Sequence, residues 1–227
     1  MKYSVDMYKI DSNYFFLKIG TRHYMEKLLK EGEIYCNTFD SFAKSAAKEI
    51  GDPLETATDF HLGKIKRIGI KDKSGDRKYF DVDVPAHLKE FHTGHVGNIY
   101  CLYALKYSDF SKSKKITLPD SLTGFGDTIL VIVDIHQFLQ RVKSSLTLLQ
   151  KSFESKMVEY IDLQNYSGKR GPFQKDSYFS HQNEYRFYIH PTKDEEKEPF
   201  KFSLGDISDI AILCDLDSFE MELDCDE

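Results

Sequence analysis

The stretch Tyr14-Phe-Phe-Leu-Lys-Ile-Gly20-Thr-Arg-His-Tyr-Met-Glu-Lys-Leu-Leu-Lys-Glu-Gly32-Glu-Ile-Tyr-Cys36 contains two backbone periods in succession. Tyr14 to Ile19 is a short aromatic and β-branched run that reads as a strand, and Gly20-Thr21 breaks it and offers a helix cap. Between Arg22 and Lys30, Tyr24, Met25, Leu28 and Leu29 recur at helical spacing, and Gly32 is placed to end the helix. Ile34 to Cys36 resumes as strand. A strand, a helix and a second strand within 23 residues predict a sheet with helices laid on it.

The pattern continues outward from that opening. Ile99 to Leu105 and Thr128 to Asp134 read as strands, the second a nearly continuous β-branched run suited to burial on both faces. Ile135, Phe138, Leu139, Val142, Leu146 and Leu149 follow at the spacing of an amphipathic helix, with Asp134 as its cap. Val158 to Leu163, Glu184 to Ile189, a segment around Phe200 and Ile210 to Leu213 supply further strands. Residues 39–96 are looser: a helix near Phe42 to Ile50, the turn Gly51-Asp52-Pro53, and a hairpin over Lys64 to Val82 around Ser74-Gly75. The expectation is one α+β domain over residues 1–227, a mixed central sheet flanked by helices, with an inserted elaboration at about 39–96 and an acidic tail at about 215–227.

Composition narrows the class. The chain has 17 Phe and 14 Tyr but no Trp, and a formal charge of −6, which argues against a broad nucleic-acid-coating surface. Cys36, Cys101, Cys214 and Cys225 form no CxxC pair, and three of them lie in apolar runs, as free thiols of a reducing compartment do. The opening residues lack a basic start and apolar stretch, and no apolar run is long enough to span a bilayer. A cytoplasmic protein with no membrane partner is expected. A basic stretch from Gly63 to Lys78 contrasts with the acidic end, where no Lys or Arg occurs from Asp206 onward.

Phosphate-loop, GxSxG, HExxH and dinucleotide signatures are absent. His92 and His95 stand three apart without a companion ligand, and no metal is expected. Three segments remain. Lys18-Ile-Gly20-Thr21-Arg22 is a strand end feeding a helix, where free N–H groups and basic side chains suit an anion. Gly51-Asp52-Pro53-Leu54-Glu55 is a rigid turn with two carboxylates. In Gln182-Asn-Glu184-Tyr185-Arg186, strand alternation puts Gln182, Glu184 and Arg186 on one face and Tyr185 with Phe187 on the other. That polar row is either a catalytic face or the solvated side of an edge strand.

These segments resemble a family of uncharacterised bacterial proteins often seen near phage-defence genes. Gly32-Glu33-Ile34-Tyr35 matches its G-x-[LI]-[YW] strand, Gly51 to Glu55 its N-D-P-F-E turn, Tyr100-Cys101-Leu102 its [CS]-[FL]-S strand and Gln182 to Arg186 its E-x-E-Y-R strand. The layout is also similar to that of ADP-ribosyltransferases, which implies a split sheet and NAD as cofactor. By that resemblance Glu184 takes the catalytic role with Gln182 and Arg186 beside it, and Lys18, Gly20, Thr21, Arg22, Tyr35 and Tyr185 fall to the cofactor. A toxin or phage-defence effector is the implied setting. Two other readings stay open. One is a magnesium-dependent nuclease or RNA-binding defence protein built on Asp176, Glu184, Arg186 and the basic stretch. The other is a non-catalytic partner or inhibitor whose acidic tail docks on a basic protein surface.

Overall fold

The computed structural model describes residues 14–47, 50–91, 97–106, 115–116, 118–192 and 198–222. The opening is as read: β1 (Tyr14–Gly20), α1 (Arg22–Glu31) and β2 (Glu33–Thr38). A short helix α2 (Phe39–Lys44) leads to a long hairpin of β3 (Asp59–Lys71) and β4 (Arg77–Glu90). Then come β5 (Asn98–Lys106), β6 (Lys115–Ile116), a 3₁₀ turn over Asp120–Phe125, β7 (Thr128–Ile132) and α3 (Ile135–Leu148). The remainder is strand: β8 (Phe153–Met157), β9 (Glu159–Ile161), β10 (Gly168–Lys169), β11 (Gln174–Asp176), β12 (Glu184–Ile189), β13 (Phe200–Ser203), β14 (Ala211–Asp215) and β15 (Met221–Glu222). The α+β class holds. The expected helix over Phe42 to Ile50 shortens to α2, and His92 and His95 lie outside the described residues.

An eight-stranded sheet forms the body, and β5 is its axis. Tyr103 faces Leu17 of β1 and Glu184 of β12, so those strands lie on opposite edges of β5. Ile99 faces Asn37 of β2 and Tyr188 of β12, which puts β2 also opposite β12. Strands β1 and β2 therefore share one edge of β5. Strand β1 covers Tyr103 to Lys106 and β2 covers Asn98 and Ile99, leaving Tyr100, Cys101 and Leu102 without a strand partner there. Outward from β1 lie β7 and β14; outward from β2 lies β13; β8 borders β12. The sheet is split.

One expectation needs correction. The central sheet is antiparallel in every pairing, not mixed, and the one parallel pair among the described strands is β9 with β11. The strand–helix–strand opening does send β1 and β2 in the same direction, as a crossover must. They never touch as neighbours, because β5 meets each of them running the other way.

Both long helices cover one face. Met25 and Leu28 of α1 and Phe138, Val142 and Leu146 of α3 share a buried cluster with Phe16, Leu102, Leu130 and Phe187. Each fully buried aliphatic or aromatic side chain there contributes about 1.5–3 kcal/mol. Asp134 caps α3 by accepting from the Gln137 N–H, as its position implied. Thr21 stands at the N-cap of α1 without a side-chain capping bond. The opposite face, at Leu17, Ile129 and Val131, is covered by loops and by Leu216, Phe219 and Met221, so the first part of the acidic tail belongs to the body. Among the described residues no helix is long and apolar enough to cross a membrane.

Gly32 ends α1 in the left-handed region, at φ 60°. A Cβ on it would lie 2.2 Å from the Gly205 carbonyl oxygen, which is main chain and cannot swing aside. Left-handed φ and backbone overlap both act against Gly32→Ala. It is expected to lower the unfolding free energy by at least about 2 kcal/mol in urea titration; a loss below about 0.5 kcal/mol would show that this docking does not hold α1.

Candidate functional site

The split opens a cavity of about 640 Å³, within the range of small-molecule sites. One wall comes from the end of β1 and the start of α1, with Lys18, Gly20, Thr21 and Tyr24; the facing wall is β2, with Tyr35 and Asn37. The unpartnered stretch of β5 forms the floor, and Gln182, Glu184 and Arg186 line it with Glu55 and Lys175. Gly126 supports the first wall, since its own Cβ would lie 2.2 Å from the Gly20 carbonyl carbon.

Lys18 occupies the gap in the ladder. Its Nζ donates to the Cys101 carbonyl at 2.7 Å, supplying the donor a neighbouring strand would have brought, and lies 4.5 Å from the Tyr100 ring centroid. Burial lowers its pKa, against the pull of Cys101 and Glu184. The Tyr100 hydroxyl, also on the cavity lining, is buried with no hydrogen-bond partner.

Beneath the floor lies a chain of buried charges. Glu184 is held by Lys175 at 2.7 Å and by Arg186 at 3.0 Å. Arg186 also donates to Glu55 at 2.7 Å and to the Pro172 carbonyl at 2.8 Å. Arg170 lies 3.7 Å from Glu55 and 3.5 Å from Asp52, and donates to the Gln174 and Leu54 carbonyls. Lys175 bonds Gln182 at 2.6 Å and sits over the Phe179 ring. Three carboxylates and three cations thus alternate, and Lys18 adds a fourth cation at the cavity.

Local sequence explains the positions. The Asp52 side chain accepts from the Leu54 N–H at 2.9 Å, an Asx turn that aims Glu55 inward. Asn183, in the left-handed region at φ 39°, precedes β12 and bonds the Ala104 carbonyl. From there alternation carries Glu184 and Arg186 to the cavity face. The parallel pair β9–β11 sets Lys175 opposite Tyr160, whose hydroxyl accepts from the Glu184 N–H.

Burial alone would raise the Glu184 pKa, but Lys175 and Arg186 outweigh it and hold the carboxyl well below its usual range. The same balance lowers Glu55 through Arg186, Lys175 and Arg170. Asp52 goes the other way: burial, and then Glu55 beside it, push it up to about 7. Asp52 Oδ2 and Glu55 Oε2 each lack a hydrogen-bond partner, so a proton on Asp52, donated to Glu55, satisfies both. Cys101 is pushed up to about 12 by burial and by Glu184, and stays a thiol.

Seven residues chosen from sequence, Lys18, Gly20, Thr21, Tyr35, Gln182, Glu184 and Arg186, line this one cavity. Two others do not. Arg22 points away to pair with Asp215, because the first helical turn rotates it off the cavity wall. Tyr185 lies on the opposite face of β12, its ring tilted by 30° against Phe16 with centroids 4.6 Å apart and its hydroxyl bonded to Ser155. Asp176 does not join Glu184 as a nuclease site would require; it caps the following 3₁₀ turn at Tyr178. Lys175, Arg170, Asn37 and Tyr100 were missed. Arg170 sits in the segment just before Gly171-Pro172 and Lys175 on the three-residue strand β11, neither with a period to read.

No family model, no curated protein and no solved structure matches the chain.

Two outcomes test the charge chain. Arg186→Met leaves Glu184 and Glu55 short of a buried cation and should cost about 3–5 kcal/mol in chemical denaturation. Asp52 has a folded pKa above its ordinary 3.8, so its contribution is full below about pH 4 and is lost as pH rises to about 7. Asp52→Asn cannot titrate, and its amide can still donate to Glu55. Across that window the variant should gain on wild type by on the order of 1 kcal/mol per pH unit; parallel stability curves would disprove the raised pKa.

Proposed function

We propose that the chain binds NAD in the split-sheet cavity and cleaves its nicotinamide–ribose bond, as an ADP-ribosyltransferase or NADase. The observation that carries this reading is the meeting of Glu184 and the Gly20–Thr21 turn in one cavity. By formal charge the lining carries Lys18, Lys175, Arg186 and Lys201 against Glu33, Glu55 and Glu184, and an anionic ligand suits that excess of one. Lys18 holds the pyrophosphate at the split. Tyr24 and Tyr35, 60% and 48% exposed on opposite walls, offer rings for a planar base.

Breaking the glycosidic bond sends its electron pair to nicotinamide, which leaves neutral, while positive charge develops on the ribose. Glu184 is kept ionised by its two cations and is already in place when that charge appears, so little reorganisation is needed. Water or a target side chain then bonds the ribose carbon and releases a proton. Arg186 and Lys175 position the carboxylate. In a bacterial cytoplasm such an activity would serve a toxin or phage-defence effector.

Calorimetry with NAD should give saturable binding that weakens about tenfold or more in Lys18→Met. Glu184→Gln should lower NAD turnover by at least about a hundredfold. Absence of binding at millimolar NAD, or unchanged turnover in the glutamine variant, would sink the reading.

A further inference from the structure

The hairpin of β3 and β4 stands away from the body. From His61 to Lys71 every residue of β3 is exposed. Successive side chains alternate between faces, so both faces of the ribbon are in solvent. Strand β10 joins it only at Asp59 and Phe60, next to its base. A two-stranded ribbon without a covering layer is marginal in water.

Its side chains are not those of a solvated arm. Of the sixteen exposed large hydrophobics among the described residues, nine lie between Leu62 and Phe91, each 44–60% exposed. They occur on both faces: Ile68 faces Phe80 across the ribbon on one side, and Ile65 faces Val84 on the other. A large side chain presents ~150–250 Å² when open, so the nine offer on the order of 800 Å² of uncovered apolar surface. Specific interfaces bury about that much per partner.

We infer that this ribbon is a self-association surface, and that its occupant is a second copy of the chain. Charge decides against nucleic acid. Residues 59–90 carry eight Lys and Arg and six Asp and Glu, a net of +2, and the basic side chains at mid-ribbon are already engaged. Lys64 and Lys66 both pair with Asp83, at 2.9 and 2.8 Å, and Arg67 pairs with Asp81 at 2.9 Å. With the chain at −6 and the ribbon at +2, the remainder carries −8 (−6 − 2), so the ribbon of one copy is attracted to the body of another. A two-fold axis lets the ribbon of each copy lie against the acidic body of the other, so that the contact is made twice. Contact runs through the faces rather than the edges, since Pro85 interrupts β4 and lysines line β3, features that discourage strand addition.

Sedimentation equilibrium on the full chain from about 1 to 100 µM tests this. Wild type should have twice the chain mass, and Ile68→Lys with Phe80→Lys should weaken the dimer at least about 30-fold. Both sites are exposed, so the double variant should keep the wild-type circular dichroism. As an independent measurement, the wild-type dimer should weaken as salt rises from about 0.05 to 0.5 M, because the attraction of ribbon to body is screened. A monomeric wild type at 100 µM, a double variant that dimerises as tightly as wild type, or a mass increase that appears only with added nucleic acid or lipid vesicles would each overturn the proposal.

Discussion

A guanidinium that is 1% exposed in the middle of a protein has to be neutralised and hydrogen-bonded, and Arg186 imposes that demand on everything around it. Its partners come from far apart in sequence: Glu55 from a proline turn 131 residues earlier, Pro172 from a loop, and Glu184 from its own strand. Each partner in turn needs its own complement, which brings in Arg170, Lys175 and the shared proton of Asp52. An apolar core would tolerate drift among these loops. A chain of alternating charges tolerates little, because a missing link leaves an unpaired charge in low dielectric.

The split sheet and the charge chain solve one another's problems. Opening the edge of β5 leaves the carbonyl of Cys101 without a strand donor, and Lys18 supplies one. Opening it also admits the cavity through which the Glu184 face of β12 communicates with the end of β1. The lowered pKa values of Glu184 and Glu55 follow from this packing.

Much of the fold was legible because local rules and tertiary structure agreed. The alternation of β1, the 3.6-residue stripe of α1 and the glycine at position 32 lead directly to the first three elements, and the β-branched run of β7 marks a strand buried on both faces. The polar row of β12 was also visible, but its two readings could not be separated, since alternation gives the face and not what covers it. Lys175 and Arg170 were invisible for a different reason. Their positions depend on a three-residue parallel ladder and a loop, neither of which has a period to read. Strand direction was misjudged at the sheet centre because β5, which pairs with both β1 and β2 running the other way, begins sixty residues after β2 ends. Tyr185 illustrates the reverse case: alternation had already assigned it away from the polar row, and only the resemblance had placed it with the cofactor.

A strand ladder is a fixed joint, but a lysine is a tether of four methylenes ending in a rotatable head. Because the β1–β5 ladder ends at Leu17 and Lys18 reaches on to Cys101, the last attachment of β1 to β5 before the split is a latch instead of a seam. An anion drawing that ammonium toward itself would unfasten it, and the stiffness of the sheet across β5 would then depend on what the cavity holds.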